Sequence, residues 1–400
     1  MEKKFRYLKI IVIICIVILI VQYIYIISLP KTKYIYFDGI NSVINIKNGY
    51  VAVGCNNNNE NYYEKAKITK YNSKKEKVFE KIYNKGYNGV FFDVVEDKEN
   101  NLIAVGSFEP DVLAHDDKHR VAIIVIYDKD GNLLYENTFK ILDNSKFTSV
   151  EILDDGYVVT GQSVYDDLDV GLSENGGAFV IKYNKKLKME WKSNFGDSKS
   201  ASYNDIVAYG GFLYAVGVVD NNIGVISKYD MQGNLIKSNY YKYTDNLGFT
   251  GIVRFENSLF IVSAKKEESD KTDALIIKSN LELDFEVENV YQGDYFERFN
   301  QAIIDSHGDI VVVGTSAKVE KVDLNDNVNV FLHDGLIGKY DNNLSKVSVV
   351  NYGDDRDDYF TDIILSDGGY LVSGYSSYED GSYLSKFIKY SDALKALEVS

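Results

Sequence analysis

One imperfect repeat fills this chain from about Gly39 to Ser400, and a chain built that way stacks its copies on one another. Each copy pairs an apolar run ending in Gly with a second run ending in Lys-Tyr. The Gly markers are Gly54, Gly106, Gly161, Gly217, Gly314 and Gly374, with Ser263 standing in the fifth copy. The Lys-Tyr markers are Lys70-Tyr71, Lys182-Tyr183, Lys228-Tyr229, Lys339-Tyr340 and Lys389-Tyr390; copy two keeps only Tyr127 and copy five only Lys278. The seven copies recur about every 53 residues, near the range in which repeated small sheets share one core.

Copy three shows the plan. Phe147 to Leu153 alternates as a strand does, Asp154-Asp155-Gly156 is a tight turn, and Tyr157 to Gly161 is an apolar run suited to a strand buried on both faces. A longer polar stretch follows, then Ala178 to Tyr183, a turn, and Lys188 to Phe195. The other opening strands are predicted at Ile40–Ile46, Phe91–Glu96, Tyr203–Ala208, Phe249–Phe255, Phe299–Asp305 and Phe360–Ser366. Four antiparallel strands per copy predict an all-β fold, a seven-bladed β-propeller over 39–400. A last strand is expected at Ala396–Val399, and Lys33–Phe37 reads as a strand that could help close the ring.

Two prolines against 33 tyrosines and 20 phenylalanines favour pleated surfaces. The net charge of −15 repels phosphate backbones, so nucleic acid is not an expected partner. Cys15 and Cys55 offer neither a disulfide framework nor a metal spacing.

Residues Ile10 to Leu29 form an apolar run interrupted by Gln22, about the twenty positions a membrane helix needs. Lys3, Lys4, Arg6 and Lys9 precede it, against Lys31 and Lys33 after it, which predicts a cytoplasmic N-terminus. The expected organisation is a basic cytoplasmic tail (1–9), a transmembrane signal-anchor helix (10–29), a tether and possible closing strand (30–38) and an extracellular propeller (39–400). A cleaved signal peptide is the rival reading; its apolar core is usually shorter.

The segments Val225 to Asn234 (VISKYDMQGN) and Ile123 to Asn132 (IIVIYDKDGN) carry a resemblance. With the glycine-ended strands, they resemble the propeller repeats of the pyrroloquinoline-quinone-like superfamily and the seven-bladed repeats of bacterial surface proteins. The outer-strand aromatic of that pattern is Phe79, Tyr135 and Trp191 in the first three copies and is lost afterwards. The resemblance covers residues 34 to 400 and implies architecture only. The chain lacks the vicinal cysteines of quinoprotein dehydrogenases and has one Trp, which speaks against quinone-dependent catalysis.

Two sets of residues are candidates for binding. The third residues of the opening strands are Ser42, Asp93, Ser149, Asp205, Gly251, Gln301 and Asp362. First strands line a propeller's channel, so Asp93, Asp205, Gln301 and Asp362 are candidate ligand-binding residues at its mouth. The bland alternative is a channel wall that needs hydrated side chains. The second set is the acid of the long links between strands two and three, Ser107–Arg120, Gln162–Gly177 and Thr315–Asp334, and of one blade link. It includes Asp116, Asp117, Asp166, Asp167, Asp169, Asp354, Asp355, Asp357 and Asp358. Such loops carry function more often than tight turns. Their carboxylates suit calcium, though no calcium-loop pattern occurs and Asp128-Lys129-Asp130-Gly131 is only a fragment of one. No other cofactor is expected. His115 and His119 flank two carboxylates without the helix an HxxxH zinc pair needs, and no GxSxG elbow occurs. The expectation is a membrane-anchored surface module that binds a protein or a polysaccharide. The alternative is a glycan-active hydrolase or lyase using carboxylates of the long-loop face.

Overall fold

The computed structural model describes residues 37–57, 63–110, 120–142, 144–164, 177–195, 201–220, 222–242, 244–245, 247–266, 271–293, 296–323, 328–353, 355–378 and 382–399. The expected membrane helix and nearly all of the tether lie outside them. Among the described residues every regular element is a strand, and there are 28. They run in successive meanders of four, each antiparallel and in chain order. Five meanders are separate sheets; the fifth and sixth join into one eight-stranded sheet through a single parallel pair, Thr272 with Phe296.

The second strand of each meander is buried on both faces, and its alternate residues serve two neighbours. Leu102 and Ala104 pack with Val51, Val53 and Ile68 of the first meander, while Ile103 and Val105 pack with Phe147, Val159 and Ile181 of the third. The same interleaving passes from meander to meander. It returns to the start where Ile364, Leu371 and Phe387 of the last meander meet Val43, Tyr50 and Ala52 of the first. A closed ring of four-stranded meanders is the β-propeller architecture. Among the described residues no strand is exchanged at the seam, and the Ala396–Val399 strand pairs within the last meander. Phe37, the end of the predicted closing strand, makes one parallel bridge to Tyr383 and packs against Tyr375.

The inner strands are Asp38–Ile46, Tyr87–Glu96, Asn144–Leu153, Ala201–Tyr209, Gly251–Phe255, Phe296–Ile304 and Asp358–Ser366. Most start two to four residues before the apolar pattern does, and a bulge interrupts the pairing with the second strand in six meanders; in the fifth the paired strand begins only at Gly251, past that place. That bulge explains the glycine marker. A Cβ on Gly106 or Gly314 would run into the carbonyl of Val90 or Arg298 on the pinched inner strand. In the fifth meander, where the paired strand begins only at Gly251, the position holds Ser263, whose hydroxyl donates to the equivalent carbonyl, Gly248 O, at 2.6 Å.

The Lys-Tyr marker is a staple. Lys70, Lys228 and Lys278 each reach the strand-three-to-four turn of the next meander, donating to Lys129 O, Leu281 O and Asn342 O; Lys339 pairs there with Asp392. Those turns share one device: Asn72, Asp128, Asn184, Asp230, Asn280 and Asp341 each accept backbone N–H groups two and four residues on. Asp128 is thus a turn residue, and the calcium-loop fragment has a local explanation.

One predicted loop is corrected. Thr315–Asp334 is mostly a long hairpin, paired from Thr315 with Gly335 out to Asp323 with Val328. Valines at 319, 322, 328 and 330 supply the β-branched residues that extend the ladder.

Candidate ligand site at the channel mouth

The bulge gives two consecutive inner-strand residues different tasks. The bulged residues, second in each opening strand, are Asn41, Phe92, Thr148, Asn204, Asn300 and Thr361, with Thr250 the equivalent in the fifth meander. Six of these seven donate a side-chain hydrogen bond to a carbonyl of the next inner strand. The pairs are Asn41 to Phe91 O, Thr148 to Tyr203 O, Asn204 to Phe249 O, Thr250 to Phe299 O, Asn300 to Phe360 O and Thr361 to Ile40 O, all at 2.6–2.8 Å. The last of them crosses the seam. Phe92 has no donor, so the latch between the second and third meanders is missing.

Of the third residues, all but Gly251 line one cavity. Asp93, Asp205, Gln301 and Asp362 come together around one polar cavity of about 270 Å³, with Ser42 and Ser149 between them. Each carboxylate bonds to backbone on two meanders. Asp362 accepts from Ile363 N and from Val43 N across the seam; Asp93 accepts from Val94 N and Val150 N; Asp205 accepts from Ile206 N and Ile252 N. Gln301 Oε1 accepts from Ala302 N. These residues are therefore joints of the ring as well as walls of the cavity.

Proton placement follows from the hydroxyls. Ser149 Oγ lies 3.0 Å from Asp93 Oδ2 and 2.9 Å from Asp205 Oδ1, yet it carries one proton. Both contacts are hydrogen bonds only when one of the two carboxyls is itself protonated. Burial pushes the Asp205 carboxyl up to about 6, with Asp93 beside it adding to the shift. Burial likewise raises Asp362 to about 7 and Glu151 to about 8, where Asp205 and Asp93 add repulsion. Burial raises Asp93 also.

Lys146, one residue before the third meander's first apolar residue, also lines the cavity. Among the described residues its ammonium has no carboxylate partner; it sits 5.6 Å from the centre of the Phe92 ring. Burial, then the Arg120 charge, hold its pKa below the usual lysine value.

The second candidate set divides. Asp116, Asp117, Asp166, Asp167, Asp169 and Asp354 lie outside the described residues, as do His115 and His119. Asp355 is exposed. Asp357 accepts from His333 N at 2.9 Å and faces His333 Nδ1 at 3.0 Å. Asp358 is buried, paired with Lys386 at 3.0 Å and hydrogen-bonded by Ser376. On the tight-turn side Asp305, His307 and Asp392 have the makings of a metal cluster. Lys339 already occupies its centre, 2.8 Å from Asp305 and 3.0 Å from Asp392.

Sequence reasoning found the third residues and missed their neighbours, the Asn and Thr latches. A readable signal existed: Asn or Thr at six of seven equivalent places, one residue before the polar channel positions.

No family model and no curated protein sequence matches the chain. Among solved structures it is similar to the Dos1 propeller, at 12% identity over 87% of this chain and 92% of that one, with a TM-score of 0.49. Sqt1 from Chaetomium thermophilum shares 7% identity over 90% and 99% (TM-score 0.48), and YjhT 10% over 78% and 96% (TM-score 0.46). Likeness at this level carries no activity or ligand across. The architecture rests on the chain's own pairing and packing.

Proposed function

We propose that the meanders are the seven blades of one propeller and that the molecule is a recognition module of the cell surface. In this reading residues 10–29 anchor it in the membrane, and it holds its ligand at the channel mouth. The observation that carries the binding reading is the polar cavity, whose carboxylates are held by backbone N–H groups of successive meanders. Groups fixed in that way present hydrogen bonds in a constant geometry. A proton cycle on Asp205 or Asp362 would disturb the joints between meanders.

The enzymatic alternative draws on one observation. Glu151 is raised to about 8, which keeps a proton available near neutral pH as a general acid requires. Hydrogen exchange on the full-length protein, with and without cell-surface glycan and protein fractions, separates the readings when run beside a panel of chromogenic glycosides. Binding predicts slowed exchange at 40–43, 146–150 and 203–206 with no turnover. Protection confined to the turns at 72–76, 128–132 and 184–188 overturns the choice of face. Turnover lost in a folded Glu151→Gln protein establishes the enzyme instead.

A further inference from the structure

A ring of repeats is nearly symmetric, and its symmetric features serve the ring. The place where the symmetry breaks is the place to look for a ligand. Around this channel six junctions carry an Asn or Thr latch. The seventh gives up its latch for Phe92, and Lys146 on the next meander stands over that ring. An aromatic face and an ammonium with no carboxylate partner among the described residues are therefore set side by side on the wall of a cavity otherwise lined by hydroxyls, amides and carboxyls.

We propose that this break is a subsite for a single sugar residue that carries a carboxylate, a hexuronate-type unit; the proposal rests on the channel-mouth reading above. The parts match term by term. An ammonium with no carboxylate partner among the described residues is best met by an oxyanion, and charge-assisted hydrogen bonds are the strong ones. The flat Phe92 ring suits the C–H face of a pyranose. The ring hydroxyls find an acceptor in Asp205 Oδ2, which takes one backbone N–H, and a donor and an acceptor in the Asn41 amide, which spends one N–H on its latch. The cavity of about 270 Å³ equals roughly nine waters at ~30 Å³ each, room for one monosaccharide and not for a chain. A simple inorganic anion fits worse, because the floor is acidic and tolerates negative charge only beside Lys146.

The unit could arrive as a free sugar acid or as the end residue of a glycan. Calorimetric titration of the purified full-length protein with D-glucuronate, D-glucose and an oligosaccharide ending in glucuronate distinguishes these sources. Glucuronate binds at least about tenfold tighter than glucose, the effect of one charge-assisted hydrogen bond. Lys146→Gln removes that preference, bringing glucuronate to within about twofold of glucose. Phe92→Asn, which restores the missing latch, weakens both sugars while holding or raising the melting temperature, so the loss cannot be assigned to unfolding. Equal affinity for the free acid and the oligosaccharide assigns the free acid; tighter oligosaccharide binding assigns a glycan end. Absence of saturable binding by all three, or a glucuronate preference untouched by Lys146→Gln, overturns the proposal. Exchange protection at the mouth by some other fraction would still stand in that event and would preserve the broader reading.

Discussion

The marker glycines offer the sharpest test of how the ring is built. In Gly217→Ala the new methyl would lie 2.8 Å from both the Ser202 carbonyl carbon and Tyr203 Cα, and closer still to Ser202 O. These are backbone atoms, so no side chain can swing away and the strands must part by about 1 Å. Forced overpacking of this kind costs ~1–3 kcal/mol, and the displaced bulge weakens a latch such as Asn204 to Phe249 O by about 1 more. Stiffening the unfolded chain returns only ~0.4–1 kcal/mol. The net expectation is a loss of about 2–3 kcal/mol. Ser263→Ala is the control. It has no pinched strand to strike and gives up one hydrogen bond to Gly248 O, about 1 kcal/mol. Denaturant titration of the full-length protein measures both. The single Trp191, whose indole donates to Met231 O across the neighbouring junction, reports locally by fluorescence. Equal midpoints for the two variants would refute the pinched-bulge explanation of the marker.

Two further outcomes are expected. Glu151 titrates near 8 in the folded protein against about 4.5 unfolded, so the native state holds the extra proton between those values and stability falls as pH rises through that window. Glu151→Gln abolishes its own share. The melting temperature of the variant should gain on wild type from pH 5 to pH 9, by the equivalent of ~1–3 kcal/mol once access of channel water to this half-buried group is allowed for; a constant difference across that range would show that Glu151 is not raised. On the loop side, Asp358→Asn strands the Lys386 ammonium and should cost about 3 kcal/mol, whereas Asp355→Asn should shift thermal unfolding by no more than ~0.5. Similar effects from the two would contradict the assigned burial.

The strand plan was legible in sequence because each copy repeats the same burial requirement. Gly, Tyr and the third polar residue recur where packing and the channel impose them. The reasons behind the markers were not legible. Gly217 needs its small size because of Ser202, and Lys228 needs its ammonium because of a turn at Leu281 and Glu282 some 53–54 residues on. Both are contacts between strands or copies that only the folded ring brings together. The latches stayed hidden for the same reason. Asn41 and Thr361 are ordinary residues until the second meander sets Phe91 O beside the one and the seam sets Ile40 O beside the other. Asp357 and Asp358 read as loop acid because a run of carboxylates resembles a solvated surface. Their partners, His333 and Lys386, lie 24 and 28 residues away.

The seam between Phe37 and Tyr383 carries a consequence for ancestry. Because among the described residues each meander owns all four of its strands, a stretch of about 53 codons encodes a whole structural unit, its apolar faces shaped for an upstream and a downstream neighbour alike. Recombination that copied or deleted such a stretch would need no rethreading of the remainder. A gene of this design can change its number of units by unequal crossing-over, and the outlying fifth copy, with Ser263 and a first strand paired only from Gly251, marks how far a single unit drifts while its neighbours hold the circle.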